Sequence, residues 1–296
     1  MKELSYGVLA SGKLGFVCLE QLINTKGINF VFTDKLSEEI ISLCLKHSVP
    51  VYVGSPRNGN ATSFINKINV DVLFSINYLF IVEKDILKTP KKYSINFHGS
   101  MLPKYRGRTP HVWAIINNEK QTGITAHLMT EKCDEGDIVY QELIPISENS
   151  TGASLLNEFY LKYPQIIAKV IKLIENDSLE FEKQDNTKAT YFEKRTPDDG
   201  EIDWNWQKER ICNWVRALTK PYPGAFTFYN NEKIIINKIK FSDIGFHQND
   251  VNGKILECGE NIIVKTSNGA IVLSDLETNE HVKFKVGGEF KCKILR

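Results

Sequence analysis

The sequence predicts an α/β protein in two parts, a Rossmann-like, mostly parallel sheet followed by a smaller OB-like β-barrel domain. Three observations lead to this prediction. Strand-like and helix-like segments alternate through the first half of the chain, as in parallel sheets covered by helices. A turn-rich stretch at 196–200 then interrupts the alternation. Beyond it, short strand-like segments follow one another with regular turns, which is typical of a small barrel.

The first elements alternate strictly. Each predicted strand is a short apolar run, and each predicted helix has apolar residues spaced along one side. The predicted strands cover 6–10, 28–32, 50–53 and 70–76. The first predicted helix ends at 22, the second begins at 37 and the third covers 62–68.

The next strand runs into a loop that carries candidate chemistry. Side chains alternate along a strand, so Asn96 and His98 project to the same side. An amide donor therefore lies beside the side chain best suited to proton transfer near neutral pH. The loop adds three cations: Lys104, Arg106 and Arg108. A lone histidine is usually a packing residue, but ligands of open α/β sheets bind beyond the carboxyl ends of strands, where this loop falls.

A short helix, two strands and a long helix are predicted after this loop. Thr109 is expected to cap the short helix and Pro110 to occupy its first position. Pro164 is expected to break or kink the long helix. The two strands cover 124–129 and 138–146, and the long helix covers 151–174.

The loop between these two strands carries three carboxylates: Asp134, Glu135 and Asp137. Such clusters are usually solvated, but this loop also follows a strand and can meet the His98 loop at one edge of the sheet. A carboxylate beside His98 would stabilise the imidazolium and fix its tautomer. His111 and His127 are the alternative histidines, and their positions on a helix face and in an alternating strand favour structural roles.

The second half reads as one helix followed by short strands with turns between them. Residues 206–218 have amphipathic helical spacing, and the Pro-Tyr-Pro-Gly stretch at 221–224 ends the helix. Turns are expected at 230–231, 253 and 259, and Asn268-Gly269 is a strong two-residue hairpin signal.

Composition and failed motifs exclude several functions. The 296 residues carry a net charge of +1, without the basic excess of a nucleic-acid binder. The six cysteines are scattered without metal-ligand spacing, so we expect reduced thiols in a cytoplasmic protein and no metal. We find no secretory signal and no apolar run of membrane-spanning length. Leu14 follows Gly12-Lys13, where a phosphate-binding loop needs Ser or Thr, so we exclude an NTPase. Ala10 replaces the first glycine of the dinucleotide fingerprint, so we do not expect a nicotinamide cofactor.

The motifs on these two loops resemble those of the folate-dependent formyltransferases. The matching residues are Asn96-x-His98-x-Ser100-x-Leu102-Pro103, Arg106-Gly107, Pro110, Gly123-Ile124-Thr125 and Asp134-x-Gly136. The resemblance covers most of residues 1–195 and includes that family's Asn, His and Asp. It implies that Asn96, His98 and Asp134 form the active site and that 10-formyltetrahydrofolate is the co-substrate.

The stretches 195–204 and 216–226 resemble a C-terminal module that two branches of this family share. One branch formylates methionyl-tRNA, and the other formylates amino sugars on nucleotide carriers, including UDP-4-amino-4-deoxy-L-arabinose. Near-neutral charge favours the sugar branch, because tRNA binders gain affinity by neutralising phosphates. We therefore expect a catalytic domain at 1–195, a C-terminal domain at 196–296 and a UDP- or dTDP-linked amino sugar as acceptor. A methionyl-tRNA formyltransferase and a non-catalytic binding protein remain the alternatives, and a homodimer is plausible.

The resemblance also implies where the ligands bind. Folate is expected between 77–82 and the Asp134 loop, although a buried strand end would explain the apolar residues equally well. The candidate folate contacts are Leu79, Phe80, Ile81 and Asp137. The candidate acceptor contacts are Ser100, Lys104, Arg106, Arg108 and Thr109, with Arg216 and Tyr222 from the C-terminal domain. The planar guanidinium of arginine can donate two parallel hydrogen bonds, so it matches the paired oxygens of a diphosphate better than the ammonium of lysine does.

Overall fold

A computed structural model describes residues 4–293, which divide into two compact units. The predicted boundary at 195 lies close to Glu193, where the second unit resumes, but that unit also takes in two earlier segments. The first unit runs to Pro110 and includes Thr122–Pro145 and Asn157–Phe192. The second unit consists of His111–Gln121, Ile146–Leu156 and the chain from Glu193 onward.

The first unit is built on a seven-stranded sheet with the order β3-β2-β1-β4-β5-β7-β8. Strands β3, β2, β1, β4 and β5 are parallel, and β7 pairs antiparallel to β5. The strands are β1 (Tyr6–Ala10), β2 (Ile28–Thr33), β3 (Val51–Val53), β4 (Val70–Ile76), β5 (Pro90–His98), β7 (Gln121–Leu128) and β8 (Ile138–Pro145). A separate two-stranded ladder joins β6 (Arg106–Gly107) to β9 (Tyr191–Phe192). The Rossmann-like prediction is confirmed.

The central strands explain why the first unit folds this way. All five residues of β1 are buried, as expected for a strand in the middle of a parallel sheet that is covered on both faces. The aromatic rings of Phe30 and Phe32 pack edge to face, with centroids 5.7 Å apart, in a core that also includes Leu9 and Leu73. This core fixes the strand ends from which the functional loops leave the sheet.

Seven α-helices are described in residues 4–293: α1 (Gly12–Thr25), α2 (Glu38–Lys46), α3 (Thr62–Ile65), α4 (Lys84–Leu87), α5 (Pro110–Ile116), α6 (Gly152–Glu175) and α7 (Lys208–Ala217). Two 3₁₀ turns lie at Asn186–Lys188 and Pro197–Gly200. Pro164 lies inside α6 without breaking it. A helix-interior proline costs about 3 kcal/mol, and the buried side chains of Phe159, Tyr163 and Ile167 hold the helix across that point.

The capping prediction for Thr109 is wrong. Thr109 has a φ of 47°, in the left-handed region, and its buried Oγ1 has no hydrogen-bond partner among residues 4–293. An N-cap residue normally has extended backbone and accepts a hydrogen bond from the helix. Pro110 does begin α5, as predicted.

The second unit carries α7 and a six-stranded antiparallel sheet with the order β12-β13-β14-β11-β10-β15. The strands are β10 (Ala225–Tyr229), β11 (Glu232–Ser242), β12 (Ile255–Cys258), β13 (Ile262–Thr266), β14 (Gly269–Glu277) and β15 (Phe290–Lys291). The Ile255 N–H donates to the Gly288 carbonyl at 2.8 Å, and the Phe290 N–H donates to the Gly253 carbonyl at 2.9 Å. These bonds join the two ends of the sheet, as expected for the predicted barrel.

Two of the predicted turns connect the strands of hairpins. Asn230 and Asn231 have φ values of 48° and 69°, as the two central residues of a type I′ turn require. The second hairpin is shifted by one residue from the prediction, because Gly269 pairs with Thr266 and the turn consists of residues 267–268.

Candidate active site

The candidate site lies at the carboxyl end of β5. This strand ends at His98, and the antiparallel partner β7 places His127 opposite Asn96 and Thr125 opposite His98. Because side chains alternate along β5, Asn96 and His98 share one side of the sheet, as the sequence predicted.

His98 is held by a main-chain carbonyl on one side and faces a carboxylate on the other. Its Nε2 lies 2.7 Å from the Tyr105 carbonyl oxygen, so Nε2 carries a proton and donates it. Its Nδ1 lies 3.6 Å from Oδ2 of Asp134, and both side chains are 7% exposed. Nδ1 is therefore the nitrogen that can take up a proton, and the carboxylate would stabilise the resulting charge.

Asp134 sits on a tight turn that brings its carboxylate back toward β5. Its φ is 57°, and the Gly107 N–H donates to Oδ2 at 2.9 Å. A Cβ on Gly136 would lie 1.8 Å from the Leu128 carbonyl oxygen, so the turn needs glycine there. Burial by itself raises the pKa of the Asp134 carboxyl, but the facing His98 and His127 in their charged forms, together with the Gly107 N–H, outweigh it and hold that pKa well below its usual range.

The sequence interpretation gave His127 a structural role and missed its contact with Asn96. Its Nδ1 lies 2.8 Å from the Leu128 carbonyl oxygen, which makes Nδ1 the donor and leaves Nε2 as an acceptor. The Asn96 Nδ2 lies 3.1 Å from this Nε2 and 3.5 Å from Oδ1 of Asp134. His127 thus fixes the orientation of the Asn96 amide. The alternation of β7 gave no sign of this, because the role depends on the cross-strand register with β5.

The basic loop separates into exposed and buried cations. Lys104 and Arg108 are exposed, and Arg108 donates to the Leu79 carbonyl oxygen at 2.6 Å. Arg106 is 1% exposed and is surrounded by protein oxygens. Ser100 is also buried, and its hydroxyl donates to the Lys104 carbonyl at 2.7 Å, which orders the loop.

The segment after β4 leaves apolar side chains at the surface. Leu79 is 42% exposed and Ile81 is 62% exposed, whereas Phe80 packs on Tyr78 with ring centroids 5.5 Å apart. In the carboxylate loop, the Asp137 carbonyl accepts a hydrogen bond from the Leu128 N–H at 2.8 Å, and its side chain is half-buried.

The two predicted contacts from the second unit are engaged within that unit. Arg216 donates to the Ser147 and Ser150 carbonyls at 3.0 and 2.8 Å and to Oδ1 of Asn213 at 2.9 Å. The Tyr222 hydroxyl is hydrogen-bonded to Nε2 of His111. His111, interpreted from the sequence as structural, thus contacts Tyr222, one of the residues predicted to bind the acceptor substrate.

The arrangement places the Asn96 amide nitrogen 3.5 Å and the His98 Nδ1 3.6 Å from one buried carboxylate, that of Asp134. Among residues 4–293, no three His, Cys, Asp or Glu side chains are placed to hold a metal ion. In the same range, no helix has the length and apolar character needed to cross a membrane. The site can donate to a developing oxyanion and accept a proton from an attacking nucleophile.

Two family models match the chain, and between them they cover most of it. The formyl transferase model matches residues 32–171, and the model of the formyl transferase C-terminal domain matches residues 194–286. The chain therefore belongs to the formyl transferase family, as predicted.

Three relatives can be described more closely. The bifunctional polymyxin resistance protein ArnA of Wigglesworthia glossinidia brevipalpis is 40% identical over 252 residues, which are 82% of this chain and 38% of ArnA. The chain thus spans about two fifths of that relative. An N-formyltransferase from Helicobacter canadensis, solved with folinic acid and dTDP-3-aminofucose, has a TM-score of 0.72 at 20% identity and covers 93% of this chain and 100% of its own. WlaRD, a sugar 3N-formyl transferase solved with dTDP and 5-N-formyl-THF, has a TM-score of 0.71 at 20% identity over 95% of this chain and 100% of its own.

Proposed function

We propose that this protein transfers a formyl group from 10-formyltetrahydrofolate to the primary amine of a UDP- or dTDP-linked amino-deoxy sugar. The finer expectation is a 4-amino-dideoxy sugar that is destined for a surface glycan. The observation that carries the proposal is the convergence of Asn96, His98 and Asp134 at the carboxyl end of β5. The acceptor class is supported by WlaRD, a sugar 3N-formyl transferase solved with dTDP, and by the N-formyltransferase solved with dTDP-3-aminofucose.

The folate would supply an activated formyl group, and the chain has residues that fit its ring. Leu79 and Ile81 expose apolar surface on the segment after β4, which suits a flat pterin. Arg108 fixes this segment through the Leu79 carbonyl. Asp137 lies on the carboxylate loop that would form the other wall.

Asn96 and His98 would act on the atoms that change. The Asn96 amide nitrogen lies 3.1 Å from Nε2 of His127 and 3.5 Å from Oδ1 of Asp134, and these two atoms are 3.5 Å apart, so one N–H can be directed at both while the second N–H points elsewhere. That second N–H can donate to the oxygen that gains negative charge when the amine attacks, and such a donor contributes about 10²–10³-fold to the rate. Nδ1 of His98 would take the proton from the attacking nitrogen, which contributes about 10²–10⁴-fold.

Asp134 would act through His98. Its low pKa keeps it anionic across the working pH range, so it can stabilise the imidazolium formed when Nδ1 gains a proton. Lys104 and Arg108 are exposed cations on the adjoining loop and are the available candidates for the diphosphate of the acceptor.

The test is a tetrahydrofolate-release assay with 10-formyltetrahydrofolate and a panel of acceptors. The panel contains UDP- and dTDP-linked sugars with the amine at C3 or C4, and charged initiator methionyl-tRNA. Turnover with a sugar nucleotide supports the proposal and identifies both carrier and amine position. Turnover with the tRNA alone would overturn the acceptor class, and no turnover with any acceptor would favour a binding protein.

Two variants test the assigned residues. His98→Ala and Asp134→Asn should each abolish most turnover and leave binding of the nucleotide sugar nearly intact, because His98 acts on the reacting atoms and Asp134 acts through His98. Calorimetric titration of the acceptor into each variant measures the binding. Turnover close to wild type in either variant would contradict the assignment.

A further inference from the structure

Arg106, predicted as a diphosphate ligand, is the centre of a buried set of hydrogen bonds. Nε and one terminal nitrogen donate to Oε1 of Gln184 at 3.2 and 2.7 Å. The same terminal nitrogen donates to Oδ1 of Asn186 at 2.7 Å. The other terminal nitrogen donates to the Tyr191 hydroxyl at 2.5 Å and lies 3.6 Å from Glu135. Four of the five guanidinium N–H groups thus donate to protein oxygens, and the side chain is 1% exposed, which turns Arg106 toward the protein rather than toward a ligand.

Gln184 links this guanidinium to the turn that carries Asp134. Its Nε2 donates to the Asp134 carbonyl at 2.8 Å and to the Gly136 carbonyl at 2.7 Å. Because Arg106 occupies Oε1, the amide of Gln184 can have only one orientation, and both of its N–H groups must point at the turn. The turn is therefore held through its main chain by Gln184 and through the Asp134 side chain by the Gly107 N–H.

The segment around Gln184 is tied to the loop that also orients His98. The Arg106 N–H donates to the Thr190 carbonyl at 2.9 Å, and the Tyr105 N–H donates to Oγ1 of Thr190 at 2.8 Å. Tyr105 in turn provides the carbonyl that accepts from Nε2 of His98. Both members of the His98–Asp134 pair thus rest on contacts with residues 184–192.

We propose that Gln184 is a positioning residue for the Asp134 carboxylate, and that Arg106 serves to hold Gln184 rather than to bind the diphosphate of the acceptor. The contacts of Asp134 with His98, His127 and Asn96 are all 3.5–3.6 Å long, so a small movement of the turn removes them. Misplacement of a catalytic group by about 1 Å can cost on the order of 10²-fold in rate. The catalytic consequence rests on the proposed function, whereas the effect on Asp134 itself does not.

The experiment uses Gln184→Leu, which removes the two donors without adding a charge. The expected kcat falls on the order of 10²-fold, and the KM values for folate and acceptor stay within about twofold, because no binding group is lost. Thr187→Ala is the matched control. It removes the hydrogen bond from the Thr187 hydroxyl to Asp185 at the 3₁₀ turn that follows Gln184 but touches neither Arg106 nor Asp134, and its kcat should match the wild type.

A second readout needs no substrate. An NMR titration of the Asp134 carboxyl should show its pKa rising toward the ordinary aspartate value of about 4 in Gln184→Leu but not in Thr187→Ala. An unchanged Asp134 titration in Gln184→Leu would overturn the proposal. Failure of the proposed acceptor class alone would leave this result intact, so the two failures are distinguishable.

Arg106→Lys separates the two roles of the arginine. A lysine keeps the charge but cannot bind Gln184, Asn186 and Tyr191 together, so a positioning role predicts a lower kcat with an unchanged acceptor KM. A raised acceptor KM with an unchanged kcat would make Arg106 a substrate ligand and overturn the proposal. If Gln184→Leu does not fold, Gln184→Glu keeps the acceptor for Arg106, removes the same donors and should show the same fall in kcat.

Discussion

Gly107 is the position where a single added methyl group should damage both the fold and the site. Gly107 pairs with Phe192 in the β6–β9 ladder, and its N–H donates to Oδ2 of Asp134. Its φ is 104°, and a Cβ there would lie 2.1 Å from the Phe192 carbonyl oxygen. An ordinary carbon–oxygen contact is about 3.3 Å or longer, so the two segments of Gly107→Ala must separate by about 1 Å.

The magnitude follows from two costs. A non-glycine residue in such a backbone conformation costs about 1–3 kcal/mol. Separation of the segments also weakens the bond from the Arg108 N–H to the Phe192 carbonyl, now 3.0 Å, which is worth about 1 kcal/mol. Gly107→Ala should therefore lower the free energy of unfolding by about 2–4 kcal/mol.

Urea unfolding followed by far-UV circular dichroism measures this loss. Gly27→Ala is the control, because a Cβ there meets no atom within 4 Å, and its stability should stay within about 0.5 kcal/mol of the wild type. Turnover of Gly107→Ala should also fall, because the N–H that holds Asp134 moves. Wild-type stability and turnover in Gly107→Ala would refute the reasoning.

Three further predictions concern the site and its surroundings. Because the pKa of Asp134 is depressed, its ionised form stabilises the native state fully above about pH 4, and this contribution is lost as the pH falls through the depressed value. The stability difference between wild type and Asp134→Asn, measured by urea unfolding, should thus be larger at pH 7 than at pH 3, and equal differences would contradict it. His127→Leu removes the acceptor of the Asn96 amide and should lower kcat about tenfold; His127→Gln, which keeps an acceptor, should lose less, and equal losses would exclude this role. Arg216→Leu should cost about 2 kcal/mol in thermal or urea unfolding, because it frees the Ser147 and Ser150 carbonyls; a raised acceptor KM with unchanged stability would instead support substrate binding.

Local patterns were sufficient for most of the elements. Strand β1 has the predicted bounds, because an apolar run between polar residues can be buried on both faces. Helix α7 lies within its predicted range, and the Asn230-Asn231 turn forms because asparagine tolerates the left-handed conformation. The capping of α5 was mispredicted, because the tertiary path of the basic loop forces Thr109 into a positive φ.

The sequence by itself determined the family, the fold class and the alternation that puts Asn96 and His98 on one side of β5, because these depend on periodicity and on the spacing of motifs. Only the tertiary structure decided which groups surround them. His127 reaches Asn96 through the register of an antiparallel strand, and Gln184 reaches Asp134 across 50 residues of chain. Burial likewise decided that Arg106 faces the protein while Lys104 and Arg108 face solvent. Such contacts join residues distant in the chain, and local propensity carries no information about them.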